Sequence, residues 1–188
     1  NVAVPTKIIS QKTIQQAGSL RLSDVLQEQA GLFLTSGFGV GVQMQGLNPD
    51  YTMIMINGEP LVGRTSGVLD LNRLTVGNNQ KIEIVKGPAS TLYGSEAVGG
   101  LINIITKDAS TAEKLKVDFS ATSVGEYNTD ITATIKTKKA AALLGINYFN
   151  YQQRRDINKD NFTDVTLQNR ISIFNKWNFK RKNNLAAS

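Results

Sequence analysis

Residues 80–107, QKIEIVKGPASTLYGSEAVGGLINIITK, constrain the fold of this chain most tightly. Two short apolar runs rich in β-branched residues, Ile82/Ile84/Val85 and Leu101/Ile102/Ile104/Ile105, read as strands. Gly87-Pro88 ends the first run, and Pro88 presets the first position of a short helix over 89–93. Gly94 stops that helix, and Gly99-Gly100 gives a second sharp turn. The order is strand, turn, one helical turn, glycine break, strand. Such a piece needs partners on either side.

The chain has 188 residues and contains neither cysteine nor histidine. Thiol nucleophiles, Cys/His zinc sites and imidazole bases are therefore excluded. The lack of cysteine fits any redox compartment. A net charge of +6 admits nucleic acid or anionic lipid as a partner. Much of the excess is local, in Lys136, Lys138, Lys139 and in Lys176, Lys180, Arg181, Lys182, where solvated turns are the plainer reading. No apolar run approaches the length of a membrane helix, whereas alternating membrane strands escape such a search. The opening residues lack a charged start followed by an apolar block, so the sequence is expected to begin inside a mature protein.

Texture changes between 107 and 114. Before it, glycine punctuates short mixed elements. Residues 2–9 read as a strand and 13–16 as a short helical piece. Leu22, Val25, Leu26 and Ala30 recur at helical spacing with Gly31 as the stop. Residues 32–34 read as extended, 37–46 as a flexible glycine-rich loop leading into a strand, and 52–57 as a buried strand closed by Asn57-Gly58. Residues 70–74 suit a short helix capped by Asp70.

After residue 114 the chain alternates. Leu115, Val117, Phe119 and Ala121 oppose Lys116, Asp118, Ser120 and Thr122; Tyr127, Ile131, Ala133 and Ile135 continue the pattern. Leu167, Ile171, Ile173, Trp177 and Phe179 oppose Gln168, Arg170, Ser172, Lys176 and Asn178, while 143–151 is less regular. Period two with one apolar face means strands with two unlike surroundings. In water the apolar face needs a core; in a bilayer it faces lipid. A short charged connection at 137–140 and a long polar one at 152–164 match the two ends of a membrane barrel, and Trp177 and Phe179 suit an interfacial aromatic belt. A water-soluble β-meander with Trp177 in its core fits the same alternation.

Four motifs in order resemble the plug domain of TonB-dependent outer-membrane receptors. Leu22-Ser-Asp-Val-Leu-Gln-Glu-Gln-Ala-Gly31 is similar to the plug's first helix and its glycine stop, with Leu32-Phe-Leu34 following as a strand. Met44-Gln45-Gly46-Leu47 is similar to the family's Arg-Gly pair, glutamine standing for arginine. Ile54-Met-Ile-Asn57-Gly58-Glu59-Pro60-Leu61 is similar to its strand and Asn-Gly turn, and 81–107 to its signature. The resemblance implies an α+β plug, a mixed sheet with short helices, over 1–113, followed over 114–188 by antiparallel strands of a truncated transmembrane β-barrel. Family barrels have about 22 strands, and the residues after 114 suffice for about four or five at roughly ten residues each. The TonB box of the family precedes the plug and has no counterpart here, so the chain is expected to be a receptor fragment.

The resemblance further implies a Gram-negative outer-membrane location and import of a scarce small molecule such as an iron chelate (siderophore), haem or cobalamin. TonB, acting through a segment N-terminal to this one, would supply the energy. Outer-membrane lipid is an expected partner; no cofactor, metal or nucleic acid is expected, and no enzymatic activity. By family position, Phe38, Gln45, Arg64, Thr65 and Tyr93 fall where the plug forms the floor of a ligand pocket. Arg64 would offer a planar donor fork to carboxylate or catecholate oxygens; Tyr93 would offer a ring and a hydroxyl, or would pack the short helix on the sheet. Arg73, Glu83, Lys86 and Glu96 are candidates for plug–barrel contacts, or for pairs within the plug.

Other readings of the same residues are weaker. No Lys-Ser/Thr follows Gly100 as a phosphate loop requires, and Gly37, Gly39 and Gly41 lack dinucleotide spacing. Glu83 and Glu96 have no nucleophile or metal set around them in sequence. The basic tail 178–184 with its aromatic leaves a β-rich nucleic-acid-binding domain as the alternative.

Overall fold

A computed structural model describes residues 6–19, 21–37, 39–62, 69, 71, 74, 76–87, 93–154, 156, 159, 161, 167–180 and 186–187. The chain divides into two compact units, 1–107 and 108–188.

The first unit is built on a mixed sheet. Strand β1 (Thr6–Ser10) leads directly into helix α1 (Gln11–Gln16), whose first turn is capped where the Thr13 N–H donates to Ser10 Oγ at 3.2 Å. Helix α2 (Leu22–Gln27) starts with the Arg21 N–H donating to the Asp24 carboxylate at 2.9 Å. It buries Leu22, Val25 and Leu26 but stops short of Ala30, which is exposed. The Gln29 side chain donates to the Val25 carbonyl at 3.0 Å, so the last turn is closed before Gly31 is reached.

Strands β2 (Leu32–Gly37) and β3 (Gly39–Met44) form a separate antiparallel hairpin. The stretch expected to be a flexible loop is thus largely strand. Three glycines hide its period of two, yet Val42 and Met44 turn inward as strand residues do. Strands β4 (Thr52–Ile56), β5 (Glu59–Pro60), β6 (Asn79–Lys86) and β7 (Gly100–Thr106) join β1 in the order β1-β6-β7-β4-β5. Among the described residues of this sheet, the β4–β7 pair alone is parallel.

The sheet is packed on both faces. Ile54, Ile82, Ile84, Ile102 and Ile104 meet the two helices and β3 on one side, forming one core with Ile9, Leu22, Leu26 and Met44. Met53, Met55 and Leu101 gather with Ala97 on the other. Continuous apolar runs are what a sheet buried on both faces requires. The expected cap at Asp70 lies outside the described residues, although the Leu74 N–H donates to the Leu71 carbonyl at 3.1 Å in a single tight turn.

The second unit is an antiparallel sheet in the order β12-β11-β10-β9-β8. Its strands are β8 (Leu115–Ala121), β9 (Glu126–Lys136), β10 (Ala140–Tyr151), β11 (Gln168–Lys180) and β12 (Ala186–Ala187). Strand β10, irregular as a sequence, is a regular twelve-residue strand. Its pattern is blurred because large apolar residues occupy both faces: Leu143, Phe149 and Tyr151 are buried, while Leu144, Ile146 and Tyr148 point the other way and are exposed. Among the described residues no helix is long and apolar enough to cross a membrane.

Candidate functional site

At one end of the first sheet, three backbone segments meet almost without side chains. Gln45 and Gly46 both take positive φ, 54° and 75°, and the Leu47 N–H donates to the Met44 carbonyl at 3.0 Å. Two consecutive left-handed residues inside one such bond make a tight turn of the I′ kind. Beside it the Gly99 N–H donates to the Tyr51 carbonyl at 2.9 Å, and the Gly87 N–H to the Gly99 carbonyl at 3.3 Å. A Cβ on Gly99 would stand 3.1 Å from the Tyr51 oxygen, and one on Gly100 would stand 2.4 Å from the Val85 oxygen and 2.7 Å from Met44 Sδ. The turn between β3 and β4 can therefore lie directly over the β6–β7 connection.

This crossing places several predicted residues at the same end of the sheet. Gln45 is exposed at the tip of its turn, and its amide nitrogen lies 3.9 Å from where a Gly87 Cβ would be. Tyr93, before Gly94, and Glu96, on the 3₁₀ turn Ser95–Ala97, are exposed on the connection between Lys86 and Gly100, which face each other in register. The Leu61 N–H donates to the Ile54 carbonyl at 2.9 Å, so the chain leaves β5 toward this end as well, with Val62 exposed. Phe38, Arg64, Thr65 and Arg73 lie outside the described residues. Of the predicted residues described here, Gln45, Tyr93 and Glu96 display an amide, a phenol and a carboxylate. Among the described residues no cluster of three or more metal-ligating acidic side chains exists.

Glu83 and Lys86 have partners inside the first unit. The Glu83 carboxylate pairs with Lys81 at 2.6 Å and accepts from Asn103 Nδ2 at 3.2 Å. Lys86 Nζ donates to the Ala30 carbonyl, fastening the chain just after α2 to the end of β6.

At the far end of the sheet, Asn57 and Gly58 close β4 and β5 with φ of 53° and 87°. Asn57 Oδ1 accepts from both the backbone N–H and the hydroxyl of Thr106, each at 3.0 Å, while the Gly58 N–H donates to Asn103 Oδ1 at 3.0 Å. The turn pair was legible in the sequence; its anchoring to β7, some 45 residues away, was not.

The second unit has its polarity reversed. Val117, Ile131, Ile146 and Ile173 stand in one cross-strand row, and all four are exposed, Val117 by 58% and Ile173 by 71%. On the opposite face the row Asp118, Asp130, Asn147 and Ser172 runs across the same strands. Here Asp130 is only 8% exposed and Asn147 only 3%. Asn147 Nδ2 donates to Asn128 Oδ1 at 2.8 Å and to Asp130 Oδ1 at 3.0 Å; Asn128 Nδ2 donates to Asp130 Oδ2 at 2.8 Å. The carboxylate thus sits in a cradle of amide donors, which offsets part of its desolvation. Arg170 on the same face lies over the Phe149 ring at 5.3 Å. The sequence marked both faces through their alternation, but only the register brings Asn128, Asp130 and Asn147 together.

A family model for the TonB-dependent Receptor Plug Domain matches residues 1–101. Among solved structures, the chain is similar to the ferric-catecholate import receptor Fiu from E. coli K12, with 20% identity and a TM-score of 0.72, over 95% of this chain and 25% of that one. It is similar to the siderophore receptor PiuA from Acinetobacter baumannii at 19% identity and a TM-score of 0.75, over 95% and 24% of the two chains. The ferric enterobactin receptor PfeA from Pseudomonas aeruginosa matches at 24% identity and a TM-score of 0.64, over 84% and 26%. The chain spans about a quarter of the length of these receptors. At such identities the likeness concerns the fold.

Proposed function

This chain belongs to the TonB-dependent receptor plug-domain family, and on that premise we propose that it is the plug and first barrel strands of an outer-membrane importer of a chelated metal. The plug would comprise residues 1–113 and the barrel wall 114–188. The observation that carries this reading is the reversed polarity of the second unit. Fully burying a valine or isoleucine side chain is worth about 1.5–3 kcal/mol. With this row of four left 37–71% exposed, the burial forgone is roughly 3–6 kcal/mol, a large part of a domain's whole stability of about 5–15 kcal/mol. Against acyl chains the same row is at home, and the amide-cradled Asp130 faces the lumen.

The ligand would be a ferric siderophore, the class named for the similar Fiu, PiuA and PfeA structures. Its floor would be the plug end that carries Gln45 and Tyr93, completed by Phe38, Arg64 and Thr65. Arg64 supplies the planar fork suited to catecholate or carboxylate oxygens. Glu96 and Arg73 would meet the barrel wall, whereas the Glu83 and Lys86 interactions described above serve the plug itself. TonB would act through a segment N-terminal to the sheet, and the ligand would pass unaltered.

The test is uptake by cells whose only receptor is the one containing this chain. Radiolabelled ferric enterobactin, haem and cobalamin would be offered in turn. Ferric enterobactin should accumulate chemically intact and stop accumulating when TonB is deleted. Accumulation that survives the deletion, or covalent change of the chelator by the purified receptor, would overturn the reading. Arg64→Ala should weaken binding of the chelate about tenfold, roughly 1.4 kcal/mol; equal affinities would remove Arg64 from the site.

A further inference from the structure

We propose that the short-turn rim of the second unit binds the headgroup of an anionic glycerophospholipid, with Lys138 and Lys139 on its phosphate and Trp177 and Phe179 beside its acyl chains. The inference rests on the reading of β8–β11 as membrane strands.

The turn is short and tightly held. Thr137 closes it, its N–H donating to the Ala140 carbonyl at 2.8 Å and its Oγ1 accepting from the Ala140 N–H at 3.0 Å. Lys138 and Lys139 project from the closed turn and are exposed. Lys136 is already engaged, its Nζ donating to the Ala112 carbonyl at 3.0 Å. Of the acids near this rim, Asp108 accepts from the Ser110 N–H at 2.6 Å and interacts with Lys176 and Asn178, which belong to the polar face. Glu113 is exposed and precedes the exposed Lys114 in the chain. The rim therefore remains basic.

The apolar half of the site adjoins it. Trp177 and Phe179 stack at 6.2 Å with 12° between their planes, about half exposed. Their cross-strand partners are Ala142 and Ala140, whose small side chains leave the rings uncovered. Ile135 continues the Ala142–Trp177 row and is exposed as well. Cations one step beyond an aromatic pair on a lipid-facing strand match a phosphate above acyl chains. The opposite rim differs. Its turn 122–125 has no lysine or arginine, and in its long connection Arg154, Arg155 and Lys159 are matched in number by Asp156, Asp160 and Asp164.

Native mass spectrometry of the detergent-purified receptor containing this chain provides the test, with dioleoylphosphatidylglycerol and dioleoylphosphatidylcholine as probes. Phosphatidylglycerol should be retained preferentially, and excess inorganic phosphate should not displace it. Lys138→Gln with Lys139→Gln should cut that preference about tenfold, the arginine pair should restore it, and Lys159→Gln at the other rim should leave it unchanged. Equal retention of the two lipids, an unaffected glutamine pair, or displacement by phosphate would overturn the proposal. A receptor that inserts into vesicles but shows no lipid preference removes this inference alone. One that never enters micelles or vesicles removes the membrane reading with it.

Discussion

Gly100 is the residue on which the first unit has least latitude. Its φ of 140° suits glycine, and an added Cβ would collide with Val85 and Met44. Gly58 also has positive φ, but a Cβ there would meet nothing within 4 Å. Gly100→Ala should therefore cost roughly 3 kcal/mol, combining backbone strain and overpacking, and Gly58→Ala about 1 kcal/mol. Amide exchange in β6 and β7 reads this difference locally; equal loss of protection in the two variants would contradict it. Asn57 gives a second contrast. Asn57→Gly keeps the left-handed backbone but removes the acceptor for Thr106, an expected loss of about 1–2 kcal/mol. Asn57→Asp keeps the acceptor and should stay near the parent in a urea titration. Asn-Gly announces a turn from sequence because the local backbone demands it. Thr106 as its anchor is invisible there, since nothing local links positions 57 and 106.

Elements were legible where the sequence showed a continuous β-branched run or a clean alternation, and obscured where neither pattern was complete. Strands β4, β6 and β7 stood out as β-branched runs, and β8 and β9 as alternations. Strand β3 was hidden because the glycines of Gly39–Met44 carry no polarity signal, and β10 because it meets apolar neighbours on both sides. Helix α2 ended early because Gln29 closes its last turn, a side-chain bond that periodicity does not register. The gathering of Gln45, Tyr93 and Glu96 at one sheet end follows from the pairing of Lys86 with Gly100, which only the register supplies. The turn after β7 yields a pH prediction. Hydrogen bonds from Ser110, first of all, hold the Asp108 carboxyl below its ordinary value of 3.8. A lowered carboxyl stabilises the turn at pH above that ordinary value and loses the contribution as pH falls through the lower, folded value. The Ser110 amide resonance should titrate with a midpoint below 3.8 and lose this step in Asp108→Asn. A midpoint at or above the ordinary value would contradict the assignment.

For the molecule as a whole, the choice between bilayer and water rests on which face of the second sheet is apolar outward. Ile146, in the middle of the Val117–Ile131–Ile146–Ile173 row, separates the two. In a barrel, Ile146→Lys near the bilayer midplane should cost about 2–4 kcal/mol. The yield of heat-modifiable receptor folded into vesicles should drop accordingly. In a water-soluble β-meander the same change would decorate an exposed position and improve solubility, and that result would restore the alternative. The basic tail 178–184 that carries the nucleic-acid reading lies, from 181 onward, outside the described residues, so that only other lysines are placed. Lys136 is bound to a carbonyl, Lys176 points to the polar face, and the exposed pair adjoins a lipid-like surface.

Strand β1 lies at the margin of its sheet, with β6 as its strand partner, and of its described side chains Ile9 alone is buried. Under tension applied from the N-terminus and across its pairing with β6, such a strand yields one residue pair at a time instead of resisting as a unit. Its detachment forfeits the burial of one isoleucine, about 1.5–3 kcal/mol, and leaves the remaining isoleucine layer assembled. A pulling experiment should record a small extension of low force before the main rupture, and Ile9→Ala should lower that first force while leaving the second unchanged. On the function proposed above, the first unit would give way in stages, beginning with this edge strand.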